Sequence, residues 1–291
     1  MSGNWQDYFE YRNEALTYEC IKFYEYKDKQ VTTLPSNLPM PPTNVCCRMF
    51  RDCKYLKDIT ALANWDVSNV ENMYEMFYNC DQLKDITALA NWDISNARDM
   101  GSMFSDCWHL QDITALANWD VSNVKNMHGM FRCCWHLQDI TALANWDVSN
   151  VKNMGDMFHR CELKDITALA NWDVSNVEDM ENMFGDCTQL KDITALANWD
   201  ISNVKYMRYI FGSCRQLKEF IYDPDELKSH LRNLPKRTYP KQDHTSLFNS
   251  LWERVNPLLK DTTKLNGYFK RYAALELPSD WRIIETIQWN P

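Results

Sequence analysis

Cysteine is the residue type whose spacing in this chain most clearly raises a question of chemistry. Seven cysteines recur at a fixed interval, shortened by one residue before Cys187, at Cys53, Cys80, Cys107, Cys134, Cys161, Cys187 and Cys214. If the segments that carry them stack about 4.8 Å apart, their Cβ atoms lie farther apart than the ~3.8 Å that a disulfide bond prefers. We therefore predict free thiols that pack as small hydrophobic side chains. Such cysteine usage suits a reducing compartment.

The neighbouring cysteines do not complete a metal-binding pattern. Cys46 and Cys47 are adjacent, as are Cys133 and Cys134, but no Cys-x-x-Cys pair or histidine spacing makes a zinc site. We predict no metal ion and no cofactor.

Two series of aspartates follow the same period. The first comprises Asp58, Asp85, Asp112, Asp139, Asp165 and Asp192, and the second comprises Asp66, Asp93, Asp120, Asp147, Asp173 and Asp200. Like charges about 5 Å apart repel by on the order of 1 kcal/mol in water, so something must offset this repulsion. The second series precedes Ser-Asn, which predicts Asx turns that accept backbone N–H groups. Calcium between the carboxylates is the alternative, although Ca²⁺ takes 6–8 oxygen ligands and no glycine-rich turn is present.

Motifs for catalysis are missing from the sequence. It contains no glycine-rich phosphate loop, no nucleophile elbow and no His-Glu-x-x-His. A regular lattice of repeats is also a poor place for a preorganised active site. We predict that the chain is not an enzyme and that it has no small-molecule ligand.

The most distinctive aromatic cluster is a Trp-His dipeptide that occurs twice, at equivalent positions of adjacent repeats. The predicted binding residues are Trp108, His109, Trp135 and His136, with Arg132 and His159 nearby. Two exposed indole rings side by side are typical of the anchors that dominate protein interfaces. The alternative is a local duplication, because both dipeptides are followed by the same segment, QDITALANWDVSNVKNM.

These residues must be positioned by a repeating backbone. The segment DITALANWDVSN, with only a Val/Ile exchange, begins at Asp58, Asp85, Asp112, Asp139, Asp165 and Asp192. A segment that recurs at a fixed period cannot bury its apolar side alone, so each copy must stack on the next. Leu-Lys-Asp-Ile-Thr is predicted to be a short strand that pairs in parallel with its copies. Residues 70–77 are predicted to be a short helix or helical turn, with Ser68 and Glu71 as a capping box.

The two ends of the chain differ from the repeats. Apolar residues at helical spacing predict an amphipathic helix from Trp5 to Tyr24, followed by a proline-rich connector. Helices are also predicted at 246–259 and 279–288. We therefore divide the chain into an N-terminal cap (1–42), a repeat solenoid (43–217) and a helical C-terminal cap or module (218–291).

Charge and hydropathy limit the partners. Residues 56–216 contain 12 Lys+Arg against 23 Asp+Glu, a net charge of −11 that disfavours nucleic acid and anionic membranes. No run of about 18 apolar residues predicts a membrane span. The N-terminus lacks the basic and apolar regions of a secretory signal, which predicts a cytoplasmic protein or one assembled in a particle.

The pattern WDVSNVxNMxxMFxxC, at 119–134 and 146–161, resembles the BspA-like surface-protein repeats of bacteria, over about residues 43–217. Leu56-x-x-Ile59-x-Ala61-x-x-Asn64 also fits the general leucine-rich-repeat pattern. The resemblance implies an α/β fold, a leucine-rich-repeat-like solenoid of about seven stacked βα coils with a parallel sheet, an internal ladder of the Asn64-type side chains, and a role in adhesion or protein binding.

We therefore expect non-enzymatic protein recognition by a rigid acidic repeat surface. The alternative is a structural component of a large assembly, such as a virion, in which the solenoid is a spacer and the two ends dock neighbours.

Overall fold

The computed structural model describes residues 9–12, 20–23, 30–41, 44 and 46–217. From residue 46 to residue 217 the backbone winds into coils of one repeat each, and hydrogen bonds join each coil to the next. For example, Phe50 N donates to Met76 O at 2.9 Å, and Phe77 N donates to Met103 O at 2.9 Å. The predicted repeat solenoid is confirmed.

Each described DITALAN segment contains a short 3₁₀ helix. These helices span Thr60–Asn64, Thr87–Leu89, Thr114–Leu116, Thr141–Leu143, Thr167–Leu169 and Thr194–Asn198. In the first, Asp58 Oδ1 accepts the backbone N–H of Thr60 at 2.9 Å, which fixes the turn that starts the helix. The predicted strand Leu-Lys-Asp-Ile-Thr is therefore wrong. Its only described pairing is an isolated parallel bridge between Thr33 and Asp58.

Parallel pairing between coils occurs instead where the short helix was predicted. Isolated bridges join Asn72 to Asp99, Asp99 to Asn126, Asn126 to Asn153, Asn153 to Asp179 and Asp179 to Tyr206. The turns after them contain left-handed residues, such as Glu75 (φ 54°) and Asn79 (φ 59°). A helix needs φ near −63°, so Glu75 excludes a continuous helix over 70–77. The Ser68–Glu71 pair caps no helix, and Ser68 N donates to Asp66 Oδ1 in the predicted Asx turn.

An amide and a carboxyl side chain also join two coils beside one of the bridges. Asn126 Nδ2 donates to Asp99 Oδ1 at 2.9 Å, and Gly101 N donates to the same oxygen at 2.9 Å. The Asn64-type side chains implied by the leucine-rich-repeat pattern are exposed, so that implied ladder is wrong. At this bridge the carboxylate of Asp99 accepts hydrogen bonds both from its own turn and from the next coil.

We expect Asp99→Asn to raise the free energy of unfolding by about 1 kcal/mol at pH 7. Burial raises the pKa of Asp99, and the hydrogen bonds from Gly101 and Asn126 only partly oppose it. An amide keeps the acceptor oxygen and gains an N–H donor beside Asn72, the bridge partner of Asp99. Because the folded pKa is the higher one, the cost of the carboxylate is complete above that pKa and absent below the unfolded value of 3.8. The gain should therefore shrink as pH falls.

Urea unfolding at pH 7 and pH 4 measures this effect. Asp112→Asn is the matched control, because hydrogen bonds from Thr114 lower the pKa of Asp112. That substitution should be neutral or slightly destabilising at pH 7. A destabilised Asp99→Asn protein, or a gain independent of pH, would contradict the prediction.

The core is a column of stacked side chains, one of each type per coil. The phenylalanines are Phe50, Phe77, Phe104, Phe131, Phe158, Phe184 and Phe211. Their ring centroids lie 5.4 to 5.9 Å apart with interplanar angles of 3° to 14°. Each indole beside this column donates to a leucine carbonyl of the preceding coil, as Trp119 Nε1 does to Leu89 O at 3.0 Å. Apolar packing and satisfied polar groups thus bind the same coils together.

The predicted cysteine column also lies in the core. From Cys80 to Cys214 each Sγ donates to the phenylalanine carbonyl of the preceding coil at 3.1 to 3.2 Å. All seven cysteines of the column are free, as predicted. The sequence did not predict that Cys47 is disulfide-bonded.

The N-terminal residues that the structure describes contradict the predicted helix from Trp5 to Tyr24. Strand β1 (Phe9–Arg12) pairs antiparallel with β2 (Cys20–Phe23), and Phe9 lies opposite Phe23. Aromatic and charged residues alternate along β1, a period of two that suits a strand. The predicted helices at 246–259 and 279–288 lie outside the described residues. Among the described residues no helix is long and apolar enough to cross a membrane.

Candidate binding surface

In each coil the chain makes a tight turn between the core cysteine and the buried leucine that follows it, and the tip of this turn faces outward. Leu110 N donates to Cys107 O at 3.0 Å, and both of these residues are fully buried. Trp108 and His109 lie between them, so their side chains project from the turn. The next coil repeats this arrangement with Trp135 and His136. We call these four residues the Trp–His patch.

The two indoles of the patch lie side by side and are half exposed. Trp108 is 50% exposed and Trp135 is 49% exposed. Their ring centroids are 6.4 Å apart and the ring planes are inclined by 48°. Only Tyr55, Tyr206 and Tyr209 are comparably exposed among the large hydrophobic side chains in the described part of the chain.

The histidines form a second pair beside the indoles. The rings of His109 and His136 have centroids 5.6 Å apart. His109 Nδ1 lies 2.9 Å from the carbonyl oxygen of Asp81 and 3.3 Å from Asp81 Oδ1. These contacts hold one histidine ring against the preceding coil and give the patch a fixed edge.

A carboxylate stands at each end of the indole pair. Asp81 occupies the position of Trp108 in the preceding coil, and Glu162 occupies the position of Trp135 in the following coil. Gln82 Nε2 donates to Asp81 Oδ2 at 2.8 Å, and Gln138 Nε2 donates to Glu162 Oε2 at 3.1 Å. The turn that contains Glu162 is shorter by one residue and has no counterpart of His136, so the patch ends there.

Arg132 and His159 precede the core cysteines and belong to an adjoining polar network. Arg132 Nη1 lies 3.8 Å from Asp106 Oδ2. His159 is only 8% exposed, and its Nδ1 is 2.6 Å from Asn182 Nδ2. Burial lowers the pKa of His159, and Asp156 is the main opposing influence. The structure thus brings together four of the six predicted residues as an exposed surface, and engages the other two in internal contacts.

Sequence reasoning missed a second group of charged and aromatic residues on neighbouring coils. The carboxylate of Glu75 contacts both Arg48 and Arg51. The guanidinium of Arg48 lies 5.6 Å from the Tyr74 ring centroid, and that of Arg51 lies 4.6 Å from the Tyr78 centroid. The available signal was the separation in sequence between each arginine and its partners, which is close to one repeat and therefore places them on adjacent coils.

In the described ranges there is no cluster of three or more His, Cys, Asp or Glu side chains that could hold a metal ion. In the first series, Asp58, Asp85, Asp112, Asp139 and Asp165 each accept the backbone N–H of the threonine two residues later. For example, Asp112 Oδ1 accepts from Thr114 N at 2.8 Å. In the second series, each aspartate accepts the backbone N–H of the serine two residues later. These carboxylates therefore accept hydrogen bonds from the backbone of the turns that they stabilise.

A family model described as "Mycoplasma protein of unknown function, DUF285" matches residues 44–163 and 136–230, more than half of the chain. The chain belongs to the DUF285 family. The matched DUF285 region contains the repeats and the Trp–His patch. No curated protein matches this chain.

Two solved structures resemble this DUF285 chain. Internalin C2 of Listeria monocytogenes is 17% identical, with 69% of this chain and 74% of that chain covered and a TM-score of 0.38. An internalin (inlF) of the same species is 14% identical, with 57% and 67% covered and a TM-score of 0.23. At such low scores, the solenoid assignment rests on this chain's own coil-to-coil hydrogen bonds.

Proposed function

We propose that this protein is a non-enzymatic recognition module that binds another protein through the Trp–His patch. The observation that carries this proposal is the pair of half-exposed indoles on adjacent coils. Tryptophan is enriched among the residues that contribute most to protein–protein affinity, because it buries a large rigid area with little loss of side-chain freedom.

The backbone beneath the patch supports such a role. The buried residues on either side of each Trp-His dipeptide belong to the continuous core. In each turn the leucine N–H donates to the cysteine carbonyl, and the cysteine thiol donates to a phenylalanine carbonyl of the preceding coil. A surface that is already ordered pays little conformational entropy on binding. The BspA-like pattern of the repeats also favours protein binding, and the net charge of −11 over residues 56–216 favours a basic or neutral partner over nucleic acid.

We expect the double substitution Trp108→Ala and Trp135→Ala to weaken partner capture by at least about tenfold, as loss of interface anchors does. The measurement is a pull-down with the full chain as bait, quantified by mass spectrometry. The double variant should keep its unfolding free energy within about 0.5 kcal/mol per site, because both side chains are on the surface.

Tyr206→Ala is the matched control, since Tyr206 is also a large exposed aromatic residue. It should leave capture unchanged. If capture survives the double substitution but requires residues 1–42 or 218–291, the alternative of an assembly component docked by its ends gains support and the patch is not the site.

A further inference from the structure

We propose that the partner segment that docks on the Trp–His patch is an extended peptide carrying arginines two residues apart. This inference rests on the proposed function and specifies the chemistry of the partner. The guanidinium groups would lie against the indoles of Trp108 and Trp135 and reach the carboxylates of Asp81 and Glu162.

The first argument is the charge of these two carboxylates. Acidic side chains that directly precede a core cysteine have cationic partners within the chain. Asp106 lies 3.8 Å from Arg132, and Asp186 lies 3.3 Å from Arg160. Neither Asp81 nor Glu162 pairs with a lysine or arginine in the described part of the chain. A cationic partner would supply the missing charges.

The second argument is the way this protein covers its other aromatic rings. Arg48 lies over Tyr74, Arg51 over Tyr78, and Arg208 over Tyr209, at 4.6 to 5.6 Å from the ring centroids. Among the residues described, no arginine or lysine covers either indole of the patch in this way. Indole is also the side chain on which a cation binds most strongly.

One internal contact shows the complete arrangement that we propose. The guanidinium of Arg51 lies 4.6 Å from the Tyr78 centroid and also contacts the carboxylate of Glu75. Arginine suits such a site better than lysine, because its planar guanidinium stacks on a ring while its N–H groups bond a carboxylate. The patch offers the same two elements, ring and carboxylate, on neighbouring coils.

The spacing of the indoles determines the form of the peptide. An extended strand rises about 3.3 Å per residue, so side chains two residues apart are about 6.6 Å apart on the same face. The indole centroids are 6.4 Å apart. An Arg-x-Arg segment running along the solenoid axis therefore places one guanidinium over each indole.

The probe is a fluorescein-labelled ten-residue peptide of alternating arginine and serine, titrated against the full chain by fluorescence anisotropy. Three matched peptides replace arginine by lysine, by citrulline or by glutamate. We expect the arginine peptide to bind about threefold tighter than the lysine peptide and at least about tenfold tighter than the citrulline peptide, whose side chains are uncharged. The glutamate peptide should not bind to this acidic array.

Substitutions in the protein locate the binding. The Trp108→Ala and Trp135→Ala pair should weaken arginine-peptide binding by about tenfold. Asp81→Asn with Glu162→Gln should weaken it severalfold and flatten its dependence on salt. The control pair Asp112→Asn with Asp139→Asn removes the same charge from the exposed aspartate series and should change the affinity less than twofold.

Three results would overturn the inference. One is an equal loss of affinity in the control pair, which would indicate unspecific attraction to the acidic array. Another is equal binding of the citrulline peptide, which would indicate an apolar partner. A third is concentration-dependent self-association that the tryptophan substitutions abolish, which would identify a second copy of the chain as the occupant.

The pull-down described above separates this inference from the proposed function. If the tryptophan substitutions abolish partner capture while the peptides show no arginine preference, the patch binds a protein of other chemistry and only the inference fails. If those substitutions change neither capture nor peptide binding, the proposed function fails as well.

Discussion

Phe131→Ala is expected to lower the free energy of unfolding by about 3–5 kcal/mol, as loss of a buried phenylalanine does. The ring is fully buried, and its centroid lies 5.9 Å from that of Phe104 and 5.8 Å from that of Phe158. The surrounding coils cannot collapse into the space, because backbone bonds such as Phe131 N to Met157 O, at 3.0 Å, set their spacing. The cavity therefore remains and both ring contacts are lost.

Phe131→Leu and Trp135→Ala are the controls for this prediction. Leucine retains most of the buried volume, so its cost should be about 1.5 kcal/mol or less. Trp135 is half exposed, and its replacement should cost no more than about 0.5 kcal/mol. Urea unfolding followed by circular dichroism measures all three variants. If Phe131→Ala costs no more than Phe131→Leu, or no more than Trp135→Ala, the phenylalanine column does not hold the coils together.

The position of Phe131 within the array adds a second expectation. In a solenoid each repeat contacts only its neighbours, so stability is close to a sum of repeat and interface contributions. A cavity in a central coil weakens the coupling between the coils on its two sides. The unfolding transition of Phe131→Ala should therefore become broader as well as earlier.

The inward-facing residues of the repeat could be predicted from the sequence, because a period near three marks them. Leu56, Ile59, Trp65 and Met73 are all buried, as the pattern requires. The Asx turn at Asp66 was also predictable, since its carboxylate bonds a residue two positions away. These features depend on local spacing, which the sequence displays directly.

The assignment of strand and helix could not be made from the same pattern. Apolar residues every three positions fit a helical turn, but they equally fit a coil whose backbone turns a corner at each step. The corners depend on left-handed backbone at residues such as Glu75 and Arg160, which have no special preference for it. Hydrogen bonds between coils stabilise those conformations. Such bonds form only when the coils are stacked, so the sequence of one repeat does not reveal them.

In the candidate site, too, features set by local spacing could be predicted and features set by adjacent coils could not. Exposure of Trp108 and Trp135 follows from their place between a buried cysteine and a buried leucine, and the sequence showed this. The internal contacts of His159 depend on Asn182 and Asp186, which lie in the next coil. Such contacts can be identified only when the alignment of adjacent coils is known. The sequence analysis therefore grouped His159 with the binding residues, although its ring is buried.

Alkylation of the core cysteines by iodoacetamide is expected to be at least about a thousandfold slower in the folded protein than in guanidinium chloride at pH 8. The thiolate is the reactive form, and burial raises the pKa of Cys214 from 9.0 to about 12. This rise lowers the thiolate population at pH 8 by about a thousandfold. The thiol of Cys134 is fully buried, and burial raises its pKa well above 9.0. The hydrogen bond from Cys134 Sγ to Phe104 O at 3.2 Å further favours the protonated form.

Cys133 provides an internal control one residue away from Cys134. It is only 4% exposed and has a φ of 59°. Burial and Asp106 raise its pKa, but Arg132 and Arg160 lower it, whereas every influence on Cys134 raises the pKa. Cys133 should therefore be alkylated first, and tandem mass spectrometry of the peptide that contains both cysteines can distinguish the two. Labelling of both at one rate would contradict the prediction. The same rise in pKa predicts how stability depends on alkaline pH. Above pH 9.0 the thiols of the unfolded chain ionise while the buried thiols of the folded protein remain protonated. The stability that the protonated thiols contribute is therefore complete below pH 9.0 and is lost as the pH rises towards 12.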